Sequence, residues 1–189
     1  MISIQVSDNL LLRTLYKEDA EELFLLVDAN RQHLRHWLNW IDSNTTIEHT
    51  VQFIEHTLQQ QETQEGFVLG IFLNNKLVGE LGMSNWNHSL KKAQIGYWLA
   101  NECEGKGILS RCLAKFLDFL FDNVGLNKVE LHFIQQNTRS AKVAERIGCK
   151  IEGVLRQSYL RHGQLEDLVI AGLLRTEWLQ QRASATVGS

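Results

Sequence analysis

Residues 102–112 read ECEGKGILSRC, set between the strand-like run AQIGYWLA (93–100) and a long stretch of helical apolar spacing. Where a strand feeds a helix through glycines, backbone N–H groups and the positive helix end face outward, and an anion can sit against them. Gly105 and Gly107 carry no side chain, so an anionic group can approach their backbone closely. Two nucleotide motifs fail on spacing. A Walker A loop needs glycine, four residues and then Gly-Lys-Ser/Thr, which this segment lacks. A Rossmann fingerprint would put Ser110 at its third glycine and would open a βαβ unit, whereas this segment follows an antiparallel hairpin. A plain strand-to-helix turn is the remaining structural reading.

A second polar segment, NTRSAKVAERIGC (137–149), reads as a helix with Asn137 as N-cap, Ser140 in the first turn and Gly148 as the stop. The elements that must position both segments follow from periodicity. NLLLRTL (9–15) is a short strand, and Lys17 to about Asn30 is a helix with Ala20, Leu23, Phe24 and Val27 on one face. The aromatic-rich RQHLRHWLNW (31–40) is expected to be helical. TTIE (45–48) predicts a capping box, Thr45 to Glu48, leading a helix with Ile47, Val51, Ile54 and Leu58 as its apolar stripe. FVLGIFL (67–73) and KLVGELGM (76–83) are strands joined by an Asn74-Asn75 hairpin turn. A polar loop, SNWNHSLKK, leads to the strand at 93–99. Leu109, Cys112, Leu113, Phe116, Leu117 and Leu120 trace a helix ending before Gly125, and KVELHFI (128–134) is a strand. Two last strands, about 149–160 and 165–174, meet at His162-Gly163. The order predicts one α/β (α+β) domain over 1–182, without repeats or linkers, and a disordered tail at 183–189.

Composition narrows the function classes. The chain has 189 residues, 44% hydrophobic and 22% charged, enough for one globular core. No apolar run reaches the roughly 18–20 residues of a membrane span. The start, MISIQVSDNLLLR, lacks the basic region and apolar core of a secretory signal. Cys103, Cys112 and Cys149 are odd in number and widely spaced, which predicts reduced thiols in a cytoplasmic protein and no zinc site. A net charge of -3 argues against nucleic acid as a partner.

EGKGIL, followed one helix and one strand later by NTRSAKVAERIGC and then IEGVLR, resembles the GNAT superfamily of acetyl-CoA-dependent N-acetyltransferases. LRHWLNW, IGYWLANECEGKGILS and IEGVLRQSYLRHGQLEDLVI are similar to its RimL-type ribosomal-protein members. The element order agrees along nearly the whole chain. The resemblance implies a mixed, mostly antiparallel sheet of about seven strands flanked by helices, splayed between the strands at about 93–99 and 128–134. It implies coenzyme A as the bound group and no metal. Backbone N–H groups of Gly105, Lys106, Gly107, Ile108, Leu109 and Ser110 would hold the pyrophosphate, and the strand at Trp98, Leu99 and Ala100 would pair with the pantetheine arm. Asn137 and Ser140 would flank that arm near the thioester. Three departures stand out: the carboxylate of Glu104 precedes Gly105 where Gln or Arg is usual, Leu109 replaces a small residue and must point into the core, and Cys149 replaces Phe.

The same resemblance implies direct attack of an amine on the thioester, with an oxyanion donor near Leu99 and Ser140 as the acid for the leaving thiolate. Many members place a glutamate where this chain has Gln94, so the base is expected elsewhere: Glu80 first, with Glu130 and His132 behind it. Trp37, Trp40 and Trp86 fall where the fold lines its acceptor cleft, and they could equally pack in the core; His33 and His36 read as surface helix residues. The expected acceptor is a protein N-terminal α-amine, a ribosomal protein among the candidates, and the family also admits a homodimer. A small amine or antibiotic as acceptor, or a non-catalytic acyl-CoA-binding module, are the alternatives.

Overall fold

The computed structural model describes residues 1–187, which fall into two compact units. The first comprises Met1–Ser84 and Gly96–Phe116, the second Asn85–Ile95 and the chain from Leu117 onward. In the first unit β1 (Ser3–Ser7), β2 (Leu10–Thr14), β3 (Phe67–Leu73) and the first part of β4 (Lys76–Asn87) pair antiparallel in sequence order. The β3–β4 turn holds Asn74 at φ 51° and Asn75 at φ 62°, the paired left-handed conformation that the Asn-Asn step predicts.

Helices α1 (Ala20–Ala29), α2 (Arg31–Arg35) and α3 (Ile47–Glu62) build the core of this unit. Leu15, Leu23, Val27, Leu34, Ile41, Ile54, Phe72 and Leu77 form one buried cluster with the indole of Trp98. Some boundaries differ from expectation. The N-cap of α3 is Thr46, not Thr45, and Ile47 is 39% exposed, so the buried stripe is Thr50, Ile54 and Thr57, flanked by Val51 and Leu58. The expected 31–40 helix stops at Arg35, and the chain resumes as a 3-10 turn at Asn39–Asp42. β1 was not legible, since its Ile4 and Val6 are only half-buried.

Strand β5 (Lys92–Leu99) begins in the second unit, where Lys92–Ile95 pair in parallel with Lys128–Leu131 of β6 (Lys128–Ile134). β6 then pairs antiparallel with β8 (Gln164–Leu174), and β8 with β7 (Lys150–Arg161). The complete order is β1-β2-β3-β4-β5-β6-β8-β7: eight strands, mostly antiparallel, where the sequence suggests about seven. β4 runs to Asn87, into what reads as a polar loop. Helix α4 (Ile108–Asp122) ends before Gly125, and α5 (Thr138–Arg146) stops at Gly148, whose φ is 82°. Helix α6 (Arg175–Val187) is an element the sequence reading missed. It docks through the Trp178 indole N–H, which donates to Asp118 Oδ1 at 3.0 Å. It covers the first residues of the expected tail; Gly188 and Ser189 lie outside the described residues. Among the described residues no helix is long and apolar enough to cross a membrane.

Close approach of β4 and β5 gives a direct test of this packing. A Cβ at Gly79 would meet the Trp98 carbonyl oxygen and stand 2.9 Å from the Leu99 Cα, backbone that cannot swing aside. Gly79→Ala is expected to cost about 2 kcal/mol in urea unfolding, within the range of overpacked cores. Gly96→Ala, whose Cβ meets nothing within 4 Å, should stay within about 0.5 kcal/mol of wild type.

Candidate active site

After Leu99 the chain makes a 3-10 turn at Asn101–Cys103, extends through Glu104 and enters α4 at Ile108. Gly105 and Gly107 take φ of 72° and 71°, left-handed conformations that side-chain-bearing residues adopt at a cost. A Cβ at either glycine would meet nothing within 4 Å, so the space above the loop is open. Below it, Ile108 is 2% exposed and Cys112, Leu113 and Phe116 are fully buried, which fixes the start of the helix. The Arg111 N–H donates to the Gly107 carbonyl at 3.2 Å, which closes the first turn of α4. Lys106 is exposed and Ser110 half-buried. Leu109, expected in the core, is only half-buried; its neighbour Ile108 takes that place. Open glycines, a helix start and a nearby cation are a donor set that fits a diphosphate.

Two side chains reach this turn from the α1–α2 junction. Asn30 Oδ1 accepts the Asn101 N–H at 2.9 Å. His33 Nε2 lies 2.9 Å from Glu104 Oε1, so the carboxylate that precedes the glycines is held by α2. His33, read from the sequence as a surface helix residue, is half-buried, and no local motif shows its contact with Glu104 across 71 positions.

On β4, Glu80 is 5% exposed. The Trp98 indole N–H donates to its Oε2 at 2.6 Å, and Oε1 is buried with no hydrogen-bond partner among the described residues. Opposite it on β3 is Gly70, where a Cβ would press on Leu15, Phe72 and Leu77. Burial pushes the Glu80 carboxyl up to about 7, against the smaller opposing effect of the Trp98 hydrogen bond. Such a group exchanges protons near neutrality.

Glu130 has the opposite environment. Burial disfavours its charge, but Lys92 at 2.9 Å, Lys128 at 3.1 Å and His132 at 3.2 Å outweigh that and bring it to about 2. A carboxylate so stabilised is a poor proton acceptor, and it occupies His132 as well. Gln94 Oε1 accepts from Asn85 Nδ2 at 3.0 Å. In the second unit Asn137 is the N-cap of α5, its Oδ1 accepting the Ser140 N–H at 3.0 Å, and Ser140 is half-buried. None of the three candidate acceptor tryptophans is core: Trp37 is half-buried edge-on to His36, Trp40 is 39% exposed, and half-buried Trp86 stacks on His88. Trp98 is buried in the core of the first unit and Trp178 in the second. Among the described residues no group of three or more His, Cys, Asp or Glu could hold a metal ion.

Residues 9–150 match the acetyltransferase (GNAT) domain, and the chain belongs to that family. It is an acetyl-CoA-dependent N-acetyltransferase of the ribosomal-protein-acetyltransferase type. It is 32% identical to YdaF of Bacillus subtilis (strain 168) over 94% of this chain and 98% of YdaF. RimL, a ribosomal alpha-N-protein acetyltransferase solved with coenzyme A, superposes with a TM-score of 0.89 at 25% identity, over 92% of this chain and 98% of RimL. MccE, a microcin self-immunity acetyltransferase solved with acetyl-CoA and AMP, gives 0.86 at 28% identity, over 89% and 94%.

Gly107→Glu places bulk and negative charge in open, left-handed backbone; titration with acetyl-CoA should show at least a ~100-fold loss of affinity. Unchanged affinity would remove the loop from the site. Glu80 predicts a stability signature. Its folded-state value of about 7 lies above the reference 4.5, so the folded chain binds the extra proton. That contribution is present below 4.5 and lost as pH rises through 7, about 3 kcal/mol in all. Glu80→Gln should flatten the fall in urea stability between pH 5 and 8, and an unaltered slope would contradict the raised value. The Glu130 contribution changes only below this window, as pH falls from 4.5 towards 2.

Proposed function

We propose that this enzyme acetylates the N-terminal α-amine of a protein, with ribosomal proteins the leading class, by direct attack within a ternary complex. Acetyl-CoA supplies the activated thioester. Backbone N–H groups from Gly105 through Ser110 bind the diphosphate, and the strand at Trp98, Leu99 and Ala100 pairs with the pantetheine arm through Leu99, the Ala100 N–H being held by the Val78 carbonyl at 2.8 Å. The Leu99 N–H faces the developing oxyanion, and Asn137 and Ser140 flank the arm, with the Ser140 hydroxyl giving its proton to the leaving thiolate. Glu80 takes the proton of the amine, relayed through water because its unpaired oxygen is enclosed. Trp37, Trp40 and Trp86 offer the aromatic faces that grip the acceptor chain.

The enclosed carboxyl of Glu80, held by one indole N–H with its other oxygen unpartnered and pushed up to about 7 by burial, carries this reading. It is a mild base. An α-amine near 7.7–8.0 is already about a fifth neutral just above pH 7, whereas a lysine near 10.4 is well under about a tenth of a percent neutral. A mild base suffices for the first and falls short for the second. The likeness to RimL supports the same acceptor class. The likeness to MccE supports a second reading, a small-molecule amine in the same site.

Thiol release from acetyl-CoA should be rapid with a basic peptide bearing a free N-terminus and absent with its N-terminally blocked twin that keeps its lysines. Activity confined to small amines would favour the second reading. Ser140→Ala should lower kcat by about 100-fold, the usual scale for a lost general acid, with a much smaller change in acetyl-CoA affinity. For Glu80→Gln the acidic limb of the pH–rate profile near 7 should vanish; a limb that stays in place rules Glu80 out as the base.

A further inference from the structure

Glu80 ends a row across the sheet of the first unit: Arg13 on β2, Gly70 on β3, then Glu80 on β4. Gly70 offers it no side chain, and the space on that side is taken by Leu15, Phe72 and Leu77. The residues that α1, α2 and α3 bury are apolar or threonine, and the ionisable residues of α3 are all exposed. Ionisable groups around this core are engaged elsewhere: Arg13 with Asp19, Glu22 with the Leu77 N–H, Arg31 with Asp28 and His33 with Glu104. On β5, Tyr97 alternates to the opposite face from Trp98. Among the described residues, the Trp98 indole N–H, donating to Oε2 at 2.6 Å, is the hydrogen bond that the Glu80 carboxyl receives, and Oε1 has none. Trp98 is 7% exposed within the apolar cluster, so its ring cannot turn away without opening the core. An indole N–H is a donor that keeps its proton, so it favours the ionised form of a carboxyl over the protonated one.

We propose that Trp98 is a positioning residue for Glu80: its indole N–H holds Oε2, stabilises the enclosed carboxylate and leaves Oε1 as the atom that receives the proton relayed from the amine. This rests on Glu80 being the base of the reaction. The ring has no part in the chemistry itself; it acts through Glu80. Without the N–H both oxygens would be buried unpaired, and the carboxyl would keep its proton to higher pH. The value of about 7 is a balance, burial lifting it and the indole restraining it. Loss of a tryptophan that only filled the core would lower the rate alike at every pH.

The test compares pH–rate profiles of wild type, Trp98→Phe and Glu80→Gln at saturating acetyl-CoA and peptide. Trp98→Phe keeps an aromatic ring and removes the donor. Its acidic limb should move up by about one pH unit, the scale of a hydrogen bond to a charged group. Its loss of rate at pH 7 should then be about fivefold greater than its loss at pH 9. Should Trp98→Phe fail to fold, a second measurement needs no variant at that position. In isotope-labelled wild type, one of the five indole N–H resonances should titrate near pH 7 and cease to do so in Glu80→Gln. A limb that stays at the wild-type position in Trp98→Phe, or indole resonances that titrate alike in wild type and Glu80→Gln, overturns the proposal. If Glu80→Gln keeps the limb, the base reading fails and the role of Trp98 with it. If Glu80→Gln abolishes the limb while Trp98→Phe leaves it in place, only the role of Trp98 falls.

Discussion

The passage from β5 to α4 obliges the chain to end a strand, reverse and start a helix between Leu99 and Ile108, with two residues at positive φ along the way. Gly105 and Gly107 meet that demand without strain, and because they carry no Cβ the space above them stays open. The helix cannot slide to close that space. Ile108, Cys112, Leu113 and Phe116 are buried along one face of α4, and they fix where its first N–H groups lie. Asn30 and His33 then tie the turn down from the α1–α2 junction. Open backbone at Gly105 and Gly107 thus stands beside the buried face of α4, the kind of preordered footing that the proposed anion site would use.

Environment, rather than residue type, divides the carboxylates of this protein. Glu80 and Glu130 are both glutamates on strands, yet one is pushed up to about 7 and the other down to about 2. Glu80 has a single indole N–H for company among apolar side chains; Glu130 has two lysines and a histidine. The difference of about five pH units separates a group that can trade protons at neutrality from one that remains a fixed negative charge.

Much of this was legible from local pattern, because local chemistry decides it. The Asn74-Asn75 and His162-Gly163 turns, the glycine loop and the Asn137 cap each depend on residues close in sequence, and each forms as read. The elements that escaped depend on distant partners. β1 has only two half-buried apolar residues, and its place is set by pairing with β2. Helix α6 is held by Trp178 reaching Asp118, 60 residues away. The N-cap of α3 falls at Thr46, one residue past the Thr45 of the expected capping box, on a helix that buries Thr50 and Ile54. The His33–Glu104 contact belongs to the same class. The exposure of the candidate acceptor tryptophans could not be read from the sequence, since an aromatic at helical spacing is equally consistent with a core or a surface.

Family membership and acetyl-CoA dependence make the acceptor the sharpest open variable, and α-amine chemistry is the central claim about it. The most direct measurement is mass-spectrometric localisation of the transferred acetyl group after incubating the enzyme and acetyl-CoA with unmodified ribosomal proteins and an equal concentration of spermidine. Acetylation of a protein N-terminal residue is expected, with lysines and spermidine left unmodified. Acetyl found on spermidine or on lysine side chains, with free N-termini untouched, would contradict it.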